Sequence, residues 1–296
     1  MMEDSNKSSQ IEAMLTLLDD SDEEIFKTIE AHLIEMGRHV IPFLEEKWSQ
    51  SFDVFLQNRI ENIVHKIQFE SVKIELKNWN AFHRHDLLSG LIIVARFQYP
   101  DLDEEKIRLF FNQVKRDVWI ELNDELTALE QIRILNRVLF DKHGFSGNTA
   151  NFHAPQNACI NTVIESKKGS PILLSCIYAL LAQDLDIPVY GVNLPEHFIL
   201  CYQHLLQSTE YTYTYPDANV LFYINAFSKG SVFGKSEIDS FLQKLNLEPK
   251  ATYFEPCSHK EIIQRILHNL HFSFTKSGNP EKVIEIDALI SLLKEE

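Results

Sequence analysis

Up to about residue 140, apolar residues recur at intervals of three and four; from residue 189 to 224 they recur at intervals of two. The first period lays one face of a helix on a core, and the second alternates the faces of a strand. Ile11, Met14, Leu15, Leu17 and Leu18 fall on one helical face. Asp19, Asp20, Asp22, Glu23 and Glu24 then crowd the start of a second helix, where the dipole favours negative charge. That helix carries Ile25, Ile29, Leu33 and Ile34 and is expected to stop at Gly37. A third starts at Val40-Ile41-Pro42, and a fourth is lined by Phe55, Leu56, Ile60, Ile63, Val64 and Ile67. Further helices are expected over residues 86–98 and 103–122, the latter with Ile107, Phe110, Phe111, Val114, Val118 and Trp119 inward. Asn123-Asp124 is read as the cap of the next, carrying Leu126, Leu129, Ile132, Leu135, Val138 and Leu139.

Residues 143–157 break the pattern with glycine, asparagine, serine and proline. A loop of that length is functional or tightly packed. After a short helix over 159–165, Ser170-Pro171 opens a strongly apolar helix, with serine as N-cap and proline at the first helical position. Ile187-Pro188 ends it. Strands follow over 189–192 and 198–202, and Tyr211 to Tyr215 alternates before the turn Pro216-Asp217-Ala218-Asn219 and a return strand at 220–224. Tyr211, Tyr213 and Tyr215 read as packing rather than as a binding platform. A helix over 236–245 and a helical pair over 259–275 and 280–293 complete the chain.

Composition narrows the function. A net charge of −15 argues against non-specific binding to nucleic acid or to an anionic membrane. The polar, acidic start lacks the basic and apolar regions of a signal peptide, and no apolar run approaches the roughly 18 residues that span a bilayer. The four cysteines are scattered with no CxxC, as expected of free thiols in a reducing cytoplasm. His83-x-His85 and Cys257-x-His259 are two-ligand fragments, so neither a metal nor a cofactor is expected.

Residues 129–230 resemble the transglutaminase-like core of the bacterial SirB-type family, described in general terms as regulators of sirC expression. The match rests on Leu135-Asn136, Phe145-Ser146-Gly147-Asn148, Gly169-Ser170-Pro171-Ile172 and Leu174-Ser175. It continues through Ile187-Pro188-Val189-Tyr190-Gly191-Val192-Asn193-Leu194-Pro195-x-His197-Phe198 and Asn225-x-Phe227-x-Lys229-Gly230. It implies an α+β, papain-like fold that is mostly helical with a small antiparallel sheet. The domains expected are a disordered start at 1–8, a HEAT-like region at 9–80, a transglutaminase-like domain at 81–250 and a TPR-like tail at 251–296. A plain helical cap remains the alternative to the HEAT-like unit.

A thiol enzyme of this kind needs a cysteine where its helix begins, a histidine to take the proton and a third group to orient the histidine. His197 matches the histidine and Asn225 the orienting residue, but Pro171 stands where the cysteine belongs. Ser170 is already explained as an N-cap. Cys176 lies roughly 140° round and 7.5 Å along the helix from Pro171, and Cys201 about 13 Å along the strand from His197. The degenerate site therefore comprises Ser170, Pro171, His197 and Asn225, with Asn148, Tyr190, Asn193 and Glu196 expected to line the surviving cleft. Two readings stand: a non-catalytic regulatory module that binds a protein or peptide, or a diverged cysteine hydrolase or acyltransferase using His197 with a displaced nucleophile.

Overall fold

The helix boundaries are set mostly by local chemistry. In the computed structural model, which describes residues 2–20, 22–152, 154–204 and 219–294, Asp22 caps α2 (Glu23–Met36) by accepting the Glu24 and Ile25 N–H groups. Gly37, at φ +75°, closes that helix, as only a residue tolerant of the left-handed region does cheaply. Before it lies α1 (Met2–Thr16), and after it α3 (Ile41–Gln50) and the long α4 (Val54–Phe82). α1 runs through the residues expected as the start of the chain, from Met2. Its turn at Ile11, Met14 and Leu15 is anchored in a core, and once a helix is nucleated each added residue costs little.

Two compact units divide the chain, residues 1–78 and 79–296. In the first, Leu18, Leu33, Val40, Leu44, Ile60 and Ile63 form the core. Arg59 ties its turns together: its guanidinium donates to the carbonyls of Leu18 and Asp20 at 2.9 and 2.8 Å and to Glu23 at 2.6 Å. The rings of Phe26 and Phe55 cover that guanidinium.

The second unit begins at the end of α4, where Trp79 donates its indole N–H to the Asp86 carbonyl. Then come α5 (Leu87–Arg96), capped by Asp86, and α6 (Glu104–Trp119), capped by Asp103. Trp119 is not inward: 67% of it is exposed, at the frayed last turn. The next helix, α7 (Ala128–Asn136), is capped by Thr127 rather than by Asn123-Asp124. Thr127 and Glu130 form a reciprocal capping box that satisfies two end N–H groups at once, which one Asn side chain cannot do. A π-helical turn, Arg137–Lys142, continues it.

The loop at 143–157 is packed by hydrogen bonds, not open. Within it β1 (Ser146–Gly147) pairs in parallel with β2 (Lys168–Gly169). Asn157, 4% exposed, donates to the carbonyls of Asn151 and Phe152 and accepts from Asn148. Between the two strands lies α8 (Ile160–Ser166), and after them α9 (Pro171–Gln183), nearly all buried. The antiparallel sheet has the order β3 (Val189–Val192), β4 (Ile199–Gln203), β5 (Val220–Asn225), β6 (Ser231–Phe233). One face of β4, Ile199 and Cys201, packs with Tyr223 against Ile238 and Leu242 of α10 (Lys235–Lys244). The tyrosine-rich stretch at 211–215 lies outside the described residues, as does the turn at 216–218. The pair α11 (His259–Ser277) and α12 (Pro280–Leu292) turns at Gly278, φ +73°. The architecture is thus α+β, mostly helical with a small antiparallel sheet. No helix among the described residues is long and apolar enough to cross a membrane.

Candidate functional site

Ser170 does what its sequence position predicts. Its Oγ accepts the Leu173 N–H at 3.4 Å, and Pro171 occupies the first turn of α9. In front of this turn is a cleft of about 150 Å³. Phe152 and Asn157 of the loop form one wall, and Ser170, Pro171 and Ile172 form the floor. Glu196 and Phe198 close one side, and Arg265, Asn269, Phe272 and Ser273 of α11 the other. Larger hollows, about 500 Å³ beside Tyr99 and about 570 Å³ beside Trp119, contain none of the sequence-predicted residues.

His197 does not join them. The chain turns tightly before β4: the His197 N–H donates to the carbonyls of Leu194 and Pro195, and Glu196 sits at φ +59°. Side chains then alternate. Glu196 and Phe198 face the cleft, whereas the exposed His197 ring lies 4.7 Å, centroid to centroid, from Phe241 of α10. Phe241 in turn packs against the cluster that holds Ile199 and Cys201. Asn225 is also engaged locally, its Oδ1 accepting the Ser228 N–H at 3.2 Å to close the turn after β5. Neither residue is presented to the start of α9.

The cleft residues divide similarly. Glu196 is on the rim. Asn193 acts one step back: its Oδ1 accepts from Arg265, which also donates to the Leu194 carbonyl at 2.7 Å. Asn148 holds Asn157 at 2.9 Å, supporting the wall from behind. Tyr190 packs instead with the α10-facing core. Arg265 is the residue that sequence reasoning missed. Burial lowers its pKa. It carries no carboxylate partner among the described residues; Phe198 lies under it at 5.9 Å. The signal was available, because Arg265, Asn269, Phe272 and Ser273 recur at helical spacing beside the apolar stripe of α11.

No thiol compensates for Pro171. Burial pushes Cys159, Cys201 and Cys257 up to about 12, and Cys176 higher still. At neutral pH these groups stay protonated, and the protonated thiol is a poor nucleophile. No group of three or more metal-ligating side chains occurs among the described residues. His259 instead meets the Arg84 carbonyl at 3.1 Å.

The raised thiols carry a pH signature. A thiol held above its unfolded pKa contributes full stability below that unfolded value, about 8.5, and the contribution is lost as pH rises through the folded one. Cys159 is fully buried, so Cys159→Ala should flatten the alkaline fall in stability by about 1 kcal/mol over the first pH unit above 8.5. Urea midpoints at pH 8, 9 and 10 measure it; parallel curves for parent and variant would count against the buried thiol.

A sequence model described as the transglutaminase-like superfamily matches residues 105–268, more than half of the chain. The chain belongs to this superfamily. A UPF0162 protein of Xylella fastidiosa (strain 9a5c) is 27% identical over 211 residues, which are 68% of this chain and 70% of that protein. A second, from strain Temecula1, is 28% identical over 191 residues, and the match covers 63% of its length. F-box only protein 21 of Mus musculus is 28% identical over 137 residues, 46% of this chain but 20% of that protein. No solved structure matches. The domain keeps its helix start and its histidine in sequence; the start of α9 lines the cleft, and the His197 ring packs on Phe241.

Proposed function

We propose that this protein is a non-catalytic transglutaminase-like module that binds a protein or peptide and acts as a regulator, within the SirB-type branch of the superfamily. The observation that carries the reading is the divorce of the two reacting groups. Pro171 fills the nucleophile's place, and His197 packs on Phe241. Acyl transfer needs nucleophile and base within about 3 Å of each other. What remains is a walled cleft lined by no thiol. The matched region is one fifth of the mouse F-box protein, which supports a domain that operates as one part of a longer chain. The helical unit at 1–78 is the HEAT-like part of the proposal, and α11 with α12 the TPR-like part; such helical pairs often serve as binding surfaces.

Turnover is the direct test. Ammonia release or amine incorporation on a glutamine-containing peptide should not exceed the level given by a variant with all four cysteines changed to serine. A rate that depends on any one cysteine, and falls again in His197→Ala, restores the hydrolase or acyltransferase reading.

A further inference from the structure

Arg265 holds a half-buried positive charge with no anionic partner among the described residues. Only its Nη1 is accounted for, by the Asn193 side chain and the Leu194 carbonyl, both neutral. A charge withdrawn from water without a counter-charge is unfavourable, and a guanidinium is built to hold a carboxylate through two parallel N–H donors. The cleft offers those donors a partner's place. Its about 150 Å³ is too small for a drug-sized ligand but admits one side chain or one chain end.

We propose that the cleft is a carboxylate-binding pocket, in which Arg265 takes the single carboxylate of a bound peptide, from a Glu or Asp side chain or from its C-terminus. This rests on the peptide-binding reading above and names the chemistry that reading requires. Asn269, one helical turn beyond Arg265, adds a neutral hydrogen-bonding group, the Ser273 hydroxyl is engaged with the Asn269 carbonyl at 2.8 Å, and the half-exposed rings of Phe152 and Phe272 cover flanking apolar residues. The other ionisable group in the wall is Glu196. It is exposed on the rim and makes no ion pair with Arg265. Its charge repels a phosphate dianion more than a single carboxylate, so the pocket selects carboxylate.

Three tripeptides test this, acetyl-Phe-Glu-Phe-amide, acetyl-Phe-Gln-Phe-amide and acetyl-Phe-Gln-Phe with a free C-terminus, titrated against ¹⁵N-labelled full-length protein. The Arg265 side-chain resonance should shift, and at least one of the two anionic peptides should bind at least tenfold tighter than the neutral amide; which one does so identifies the source of the carboxylate. That preference should vanish in Arg265→Gln. It should also vanish in Asn269→Asp, which places a carboxylate one helical turn from the guanidinium and should keep or raise the melting temperature, so lost folding is not mistaken for lost binding. Equal affinity for all three peptides, a preference surviving both variants, or no binding of any peptide overturns the pocket. Thiol-dependent turnover, read separately, is what overturns the non-catalytic reading itself.

Discussion

Pro171→Cys should yield the most reactive thiol in the protein and still no enzyme. The substituted residue would sit in the first turn of α9, open to the cleft, with the helix N-terminus and Arg265 both favouring thiolate. Thiols at helix N-termini titrate between about 3.5 and 7.5. The native thiols sit at about 12 or higher, so at pH 7 their thiolate fraction is lower by roughly 10⁵ than that of a thiol half-ionised there. The weaker intrinsic nucleophilicity of a low-pKa thiol returns about two of those powers of ten. Alkylation by iodoacetamide should therefore run on the order of 10³ faster at the introduced thiol than at any native cysteine. The stability cost is small, since proline at this position sacrifices no hydrogen bond and cysteine adds one exposed N–H.

The decisive comparison is the double variant Pro171→Cys with His197→Ala. A base that shares a proton with the thiol lowers its pKa, so removing it slows alkylation and shifts the pH profile upward. With His197 on Phe241, neither should change by more than about twofold, well within one pKa unit. A tenfold drop in rate, or acyl transfer appearing in the single variant, would mean that the loop at 194–197 swings its histidine into the cleft.

Why the histidine's direction was not legible is instructive. The helix starts were readable because each is decided within four residues: Asp22, Asp86, Asp103 and Ser170 all cap where their chemistry predicts. Where the prediction missed, at Thr127, a stronger local device lay three residues further on. His197 is different. Its side depends on one left-handed residue, Glu196, and on α10 supplying Phe241 some forty residues later. Nothing in a Pro-x-His-Phe motif encodes either. The cleft was half legible for a similar reason: its floor comes from Ser170-Pro171, but its far wall comes from α11, and helical periodicity says which residues share a stripe without saying what that stripe meets. Conversely, several residues that carried the family resemblance prove to be scaffold. Gly147 leaves room for Phe227, whose ring would overlap any Cβ placed there.

The tightest of these scaffold contacts predicts the largest loss of stability. Gly230 lies at φ +70° in the turn between β5 and β6, and a Cβ there would collide with Asn136 Oδ1. The Asn136 amide cannot simply withdraw. Its Nδ2 donates to the Gly230 carbonyl and its Oδ1 accepts from Tyr178 Oη, both at 2.9 Å, and Tyr178 is fully buried in α9. Gly230→Ala must therefore break a buried bridge that joins the sheet, the end of α7 and the central helix. The left-handed backbone costs about 1 kcal/mol for alanine, and each disrupted buried hydrogen bond about 1–3 more. The sum, about 3–7 kcal/mol, is a large part of the roughly 5–15 kcal/mol that holds a typical domain. Gly144→Ala separates the two causes, because Gly144 shares the positive φ, +74°, with nothing within 4 Å of the added carbon; it should cost about 1 kcal/mol alone. Adding Asn136→Ala to Gly230→Ala removes the collision, so the double variant should be less unstable than the two single losses summed, by about 1–3 kcal/mol. Strict additivity in urea unfolding, or a Gly230→Ala loss no larger than that of Gly144→Ala, would show that the turn yields without disturbing the bridge.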